Sequence, residues 1–204
     1  MTPLRCIYDL RYAPITYDFV VYLALADCHR QLNGQDCIDL TIRCGGFRSK
    51  TTRDVIIRRA EKEWRLQNII LQVCALLPTI RNITVQRDDS DGEYDFPDSY
   101  PQKYDEAFRF PYMAKDVLRL QQEGADPKCF KAPDYAWDVC GREKEPYITV
   151  TLRHSSHFQN RNPHLGEWST FTDELQENGT DIVVIPDTED CLNKKDYIYF
   201  WGHE

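Results

Sequence analysis

Short apolar, β-branched runs alternate along the chain with longer segments whose apolar positions recur at helical spacing. The runs at 4–10, 37–43 and 83–85 are predicted strands, and the segments at 19–32 and 53–77 are predicted helices. This alternation favours a parallel sheet covered by helices. The first part of the chain therefore predicts a β-α-β-α-β unit of Rossmann-like topology.

The same pattern returns towards the carboxyl terminus. An apolar run at 147–152 is followed by a polar loop, a helical segment at 165–178 and a second apolar run at 181–185. A strand, a returning helix and a second strand form a parallel βαβ unit. Ligands of such units bind beyond the carboxyl ends of the strands, so residues at those ends are candidate ligand contacts.

Turn-forming residues between the two patterns predict the domain boundary. We predict an amino-terminal Rossmann-like domain at 1–123, a connecting segment at 124–146 and a carboxyl-terminal Rossmann-like half at 147–204. A doubly wound domain has about five or six strands, so the second half is predicted to be short or incomplete. The predicted fold class is α/β with two Rossmann-like halves. The connecting segment contains Gly124, Pro127, Pro133, Gly141 and Pro146.

Composition and charge narrow the class of partner. The 204 residues carry a net charge of −8, which argues against general nucleic-acid binding because that function needs a clustered basic surface. The sequence has neither an apolar run of the ~20 residues that cross a bilayer nor an apolar signal-peptide core. A cytoplasmic location is therefore expected. The eight cysteines form no Cys-x-x-Cys pair and are expected to be reduced thiols.

Arg153 is the strongest candidate for a ligand contact because it follows the apolar run at 147–152. An arginine at a strand end can bind a phosphate through two parallel charge-assisted hydrogen bonds. The alternative is that Arg153 pairs with Asp187 across the parallel strands and that the following loop is simply solvated. Polar side chains that could contact a sugar or phosphate follow it: His154, Ser155, Arg161 and Asn162.

The loop after the first predicted strand also lies at the carboxyl end of a strand, as Arg153 does in the second half. Arg11, Tyr17 and Asp18 are candidate ligand contacts there, although Asp18 alternatively only places a favourable charge at the helix start. Gly45 and Gly46 follow the second strand. They predict a turn more strongly than a phosphate loop, because the Gly-x-Gly-x-x-Gly spacing is missing.

Two segments have metal-binding residue types without a metal-binding pattern. His154, His157 and His164 lack a cysteine partner at ligand spacing. The acidic segment at 88–93 lacks the alternating ligand register of a calcium loop. No metal is expected.

Two strand ends resemble GT-B-type glycosyltransferases, and within them the fucosyltransferase-like branch. The pair Leu152-Arg153 is similar to that branch's strand ending in His-x-Arg or Leu-Arg, although Thr151 replaces the histidine. The segment 185–189 resembles the strand ending in Thr-Asp. The segment 9–19 and the pair Arg161-Asn162 are similar to bacterial proteins of unassigned function that carry this architecture.

The resemblance implies two facing Rossmann-like halves and a nucleotide-sugar that is a substrate and not a bound cofactor. It also implies metal-independent transfer of the sugar to a hydroxyl of a glycan or another acceptor. Arg153 would neutralise the leaving diphosphate. Asp187 and Thr188 would contact the donor, and Asp18 or His154 would serve the acceptor. Further substrate contacts are expected from Arg11, Tyr17, Ser155, Arg161 and Asn162.

Two other functions remain open from the sequence. The chain can be a non-catalytic binding or assembly protein, a remnant of the fold whose missing strands come from a partner chain. It can also be a sugar-nucleotide epimerase, which would need a carboxylate and a histidine that face the same cleft.

Overall fold

The structure, a computed structural model, describes residues 2–47, 58–87, 99–101, 114–134, 147–153 and 159–185. The chain divides into two compact units, Met1–Ala136 and Trp137–Glu204. Four of the predicted site residues lie outside the described residues: His154, Ser155, Asp187 and Thr188.

A four-stranded parallel sheet forms the centre of the first unit. Its strands are β1 (Pro3–Asp9), β2 (Cys37–Arg43), β3 (Ile80–Gln86) and β4 (Ser99–Tyr100), in the spatial order β3-β2-β1-β4. β1 and β2 pair along their whole length, so that Asp9 lies opposite Arg43 at their carboxyl ends. The predicted α/β class with a parallel sheet is confirmed.

Helix α1 (Asp18–Leu32) covers the sheet with a largely apolar side, as its sequence predicts. The ring of Tyr8 contacts the rings of Phe19 and Tyr22, with centroids 4.6 and 4.8 Å apart. The Tyr22 hydroxyl donates a hydrogen bond to the carbonyl oxygen of Ile7 (2.8 Å), which satisfies the polar end of a buried ring. Each fully buried side chain of this kind stabilises the fold by about 1.5–3 kcal/mol.

The second long helical segment contains a π-helical turn. Helix α2 (Arg59–Arg65) continues through Leu66–Ile70 into helix α3 (Leu71–Cys74). The turn places Leu66, Ile69 and Ile70 in the apolar core of the sheet. A helix within the segment predicted at 53–77 is confirmed from Arg59 to Cys74. Arg58 is extended, and the helix ends three residues before the predicted bound.

Helix α4 (Ala114–Gln122) packs on α1 through Leu120, which contacts a buried cluster with Leu25 and Cys28. The described cysteines are free thiols, and burial raises the pKa of Cys28 and raises that of Cys74 to about 12. These thiols pack as small apolar side chains. None of the helices in the described ranges combines the length and the apolar character that a bilayer crossing needs.

The second unit contains the predicted βαβ arrangement. Strands β5 (Tyr147–Thr151) and β6 (Asp181–Ile185) pair in parallel, and helix α5 (Leu165–Glu177) connects them. Val150 of β5 and two residues of β6 form a small apolar core against which Leu175 of α5 packs. The predicted strand–helix–strand unit is confirmed.

The buried carboxylate of Asp27 joins three segments of the first unit. It accepts hydrogen bonds from Arg30 Nε (2.7 Å), Thr79 Oγ1 (2.6 Å) and Gln31 Nε2 (2.8 Å). Thr79 directly precedes β3, and Gln31 also donates to the carbonyl oxygen of Asp126 (2.9 Å). Asp27 therefore ties α1 to the start of β3 and to the segment after α4.

We expect Asp27→Asn to lower the free energy of unfolding at neutral pH by about 1–3 kcal/mol, because an amide cannot accept all of these bonds. Burial alone would raise the pKa of Asp27, but hydrogen bonds from Arg30, Thr79 and Gln31 hold it below its usual value. A lowered folded-state pKa stabilises the fold above the unfolded-state pKa of about 3.9, and this stability is lost as the pH falls through the folded-state value. Urea unfolding should show that the wild type and Asp27→Asn differ less in their free energy of unfolding below about pH 4.

The exposed carboxylate of Asp134 provides the control for this prediction. Asp134→Asn should change the free energy of unfolding by less than about 0.5 kcal/mol. If Asp27→Asn were equally mild at neutral pH, the Asp27 bonds would not hold the unit together.

Candidate functional site

In the second unit, Arg153 lies at the carboxyl ends of the strands. The Leu152 amide donates a hydrogen bond to the Ile185 carbonyl oxygen (3.3 Å), so the parallel pairing continues one residue beyond β5. Arg153 comes next and is partly exposed. Arg153 therefore lies at the edge of the sheet where ligands of parallel α/β units bind.

Two further predicted contacts lie in the same connection between β5 and α5. A short 3₁₀ turn spans Gln159–Arg161, and the Asn162 amide donates to the Gln159 carbonyl oxygen (3.0 Å). Arg161 is exposed. His164 precedes α5 in an extended conformation, without a side-chain hydrogen bond to the helix start. The connection between β5 and α5 therefore contains Arg153, Arg161 and Asn162, and the charged residue types in its sequence are cationic.

In the first unit, the carboxylate of Asp9 lies between two arginines at the carboxyl ends of β1 and β2. It accepts hydrogen bonds from Arg11 Nη2 (2.6 Å), Arg11 Nε (3.0 Å) and the Arg11 amide (3.0 Å). Arg43 Nη1 lies 3.4 Å from the same carboxylate. All three residues are at most 3% exposed. Buried charges need this kind of geometry, because an uncompensated buried ion is strongly destabilising.

The loop after β2 is shaped by three consecutive residues with left-handed backbone. Gly45, Gly46 and Phe47 have φ values of 49°, 59° and 58°. A residue other than glycine pays about 1–2 kcal/mol for this conformation. Phe47 is buried, and its carbonyl oxygen accepts a hydrogen bond from Lys62 Nζ (3.1 Å), which holds the loop in place.

Glycine is required at position 45 by a close approach as well as by its backbone. A Cβ there would lie 2.5 Å from both Cγ and Cδ of Arg11. The loop after β2 therefore packs directly against the aliphatic part of Arg11, while Asp9 holds its guanidinium. The prediction of a turn at Gly45 and Gly46 is confirmed.

The predicted site residues of this unit lie in the connection between β1 and α1, but their side chains differ in exposure to solvent. Arg11 is only 3% exposed, whereas Tyr17 is 57% exposed directly before α1. Asp18 is the first residue of α1, and its carboxylate accepts a hydrogen bond from Thr16 Oγ1 (2.8 Å). The ligand-contact roles of Arg11, Tyr17 and Asp18 stay predictions.

Sequence reasoning missed three charged residues: the carboxylate that binds the guanidinium of Arg11, the arginine that pairs with this carboxylate, and the lysine that holds the loop after β2. Asp9 had a usable signal, because a carboxylate at the end of a strand and an arginine two residues later are within reach of each other. Arg43 and Lys62 had no such local signal. Their roles follow from the alignment of β1 with β2 and from the packing of α2 on the loop after β2.

Within the described ranges, no group of three or more histidine, cysteine, aspartate or glutamate side chains is arranged to hold a metal ion. Comparison of the chain with protein-family models, curated proteins and solved structures finds no match. A functional proposal therefore depends on the chemistry of the chain's own residues.

The contact between position 45 and Arg11 can be measured against a matched glycine. Gly34 also has a left-handed backbone (φ 64°), but a Cβ there would have nothing within 4 Å. Gly34→Ala should lower the free energy of unfolding by about 1–2 kcal/mol through its backbone alone. Gly45→Ala should cost about 1–3 kcal/mol more, because the new methyl group displaces Arg11.

Urea unfolding of the two variants supplies both values. Equal losses at the two positions would contradict the prediction, since they would mean that Arg11 moves aside without cost.

Proposed function

We propose that the chain binds a nucleotide-sugar donor and transfers its sugar to a hydroxyl acceptor, without a metal ion. The observation that carries this proposal is Arg153, a partly exposed arginine at the carboxyl end of a parallel βαβ unit. Ligands of parallel α/β units bind at this edge, and a guanidinium is suited to the paired phosphates of such a donor.

The difference in access between two arginines supports Arg153 as the donor contact. Arg11 is bound by Asp9 and is 3% exposed, so it cannot reach a ligand unless the loop after β1 moves. Arg153 is partly exposed in its present conformation. The exposed Arg161 in the same connection adds a second positive charge for a phosphorylated ligand.

In the proposed reaction, the acceptor oxygen attacks the anomeric carbon of the donor sugar. The bond from that carbon to the diphosphate oxygen breaks, and its electron pair leaves with the diphosphate. Arg153 stabilises the charge that develops on this leaving group. The acceptor hydroxyl gives its proton to a base, for which Asp18 and His154 are the proposed groups.

The remaining proposed contacts hold the two substrates. Asp187 and Thr188 contact the donor. The proposed substrate-binding set is completed by Tyr17, Ser155, Arg161 and Asn162, and by Arg11 after a movement of the loop that follows β1. Their polar side chains match the hydroxyl and phosphate groups of a nucleotide-sugar and its acceptor.

Donor binding can be tested by thermal unfolding with a panel of nucleoside diphosphates and nucleotide-sugars. A ligand at about one hundred times its Kd stabilises the fold by about 2.7 kcal/mol, which for a chain of this length raises Tm by roughly 5–10 °C. We expect such a shift with at least one member of the panel. Arg153→Ala should abolish it, because the diphosphate loses its main cationic contact.

Arg119→Ala is the charge-matched control. Arg119 is an exposed arginine of α4 that pairs with Glu123, and its removal should leave the shift unchanged. The donor-binding proposal fails if no panel member raises Tm, or if the Arg119 variant loses the shift to the same extent as the Arg153 variant.

Transfer can be distinguished from binding by following the donor that gives the largest shift. A transferase releases the nucleoside diphosphate in a manner that depends on added hydroxyl acceptor. We expect Arg153→Ala to lower kcat/KM for this release by about 10²–10³, the loss typical of one removed group that stabilises developing charge. A changed sugar configuration without release would instead identify an epimerase.

A non-catalytic binding or assembly protein is the second candidate function. It is favoured by the exposed aromatic side of α5, where Trp168 (38% exposed) and Phe171 (46% exposed) contact each other edge to face. Exposed apolar groups of this kind are common where a partner chain binds. A donor that raises Tm but is never turned over, with any acceptor, would favour this candidate over the transferase.

A further inference from the structure

A cavity of about 350 Å³ lies in the first unit, near the amino end of β1 and thus at the opposite end of that strand from Asp9. The carboxyl-terminal end of α1 and the edge strand β4 contribute to it. Cavities of this size are within the range that holds small molecules. Its lining in the described part of the chain consists of Leu4, His29, Asn33, Ser99, Tyr100 and Pro101.

The lining of the cavity includes one apolar and one aromatic side chain that pack in the core of the first unit. Leu4 is buried in the core between the sheet and α1, and Tyr100 packs against the same core. The ring of His29 lies against the ring of Tyr100, with centroids 4.7 Å apart and planes inclined at 35°. A planar ring can pack against such a surface.

The polar groups of the cavity come from α1, which contributes His29 and Asn33, and from β4, which contributes the hydroxyl-bearing Ser99 and Tyr100. The Ser99 hydroxyl donates a hydrogen bond to the carbonyl oxygen of Pro101 (3.1 Å). His29 and Asn33 are four residues apart, one turn of helix, and Asn33 follows the last residue of α1. The Asn33 amide supplies both donors and an acceptor. None of the described lining residues carries a carboxylate, an ammonium or a guanidinium group. The neutral donors and acceptors of these lining residues match an uncharged ligand that forms hydrogen bonds along one edge.

The charge state of His29 agrees with this preference. Burial lowers the pKa of His29, the nearby positive charge of Arg119 lowers it further, and Glu123 acts in the opposite direction. A histidine with a lowered pKa is neutral at neutral pH, and its imidazole then offers one donor and one acceptor.

We propose that this cavity binds an uncharged heteroaromatic ring of nucleobase size that has hydrogen-bond donors and acceptors on its edge. The ring contacts the surface formed by Leu4 and Tyr100, and its edge faces His29 and Asn33. Proteins commonly hold nucleobases by this combination of aromatic contact and edge hydrogen bonds. The described residues that line this cavity all belong to the first unit, and none of them is among the residues of the proposed donor site.

Adenine is a suitable probe, and the His29 Cε1 proton is a suitable reporter. The His29→Gln variant identifies this resonance among those of the five histidines. We expect adenine to shift it in a saturable manner in the full chain. Asn33→Ala should lower the affinity for adenine about tenfold, because the side-chain amide is lost. Asn33→Trp should abolish adenine binding, because the larger side chain fills the cavity.

Leu32→Trp is the matched control, because Leu32 is the exposed neighbour of Asn33 and is not among the lining residues. It should leave the adenine affinity unchanged. Toluene, an apolar ring without edge hydrogen bonds, should bind at least about tenfold more weakly than adenine. The proposal is overturned if adenine causes no saturable shift, if Asn33→Ala and Asn33→Trp both bind it like wild type, or if toluene binds equally well.

Discussion

The buried carboxylate of Asp9 holds together the carboxyl ends of β1 and β2, from which two loops of the first unit start. It ends β1, lies opposite Arg43 at the end of β2, and accepts both backbone and guanidinium hydrogen bonds from Arg11. One acceptor thereby joins two strands and the connection that leads to α1. Removing one partner of such a buried pair typically costs about 3–5 kcal/mol, so this edge depends on a single side chain.

The local pattern of apolar and polar residues was sufficient to predict the bounds of two strands. The predicted bounds of β2 and β6 agree with the structure because each is an apolar, β-branched run that a polar or turn-forming residue ends. β4 could not be predicted, because Ser99–Tyr100 is too short to show any periodicity. It is a strand only because it pairs with Arg5 and Cys6, which are distant in the chain.

The two strand-end arginines also differ in how much of their structure the local sequence could predict. The position of Arg153 could be predicted because it depends on where β5 ends. The burial of Arg11 could not, since an arginine in a polar loop is typical of an exposed side chain. Its burial requires Gly45, more than thirty residues later, to come close enough that a Cβ would collide with it. Contacts between separate connections of a parallel sheet leave no periodic signal in either segment.

Arg11 and Arg153 show how one neighbouring residue decides what a strand-end arginine can do. Each follows the last residue of a parallel strand by two positions. In the first unit that last residue is Asp9, whose carboxylate binds the guanidinium at 2.6 Å and withdraws it from solvent. In the second unit it is Thr151, which has no charge with which to bind an arginine. A carboxylate at the strand end therefore favours a buried structural arginine, whereas the arginine that follows the neutral strand end of β5 stays partly exposed.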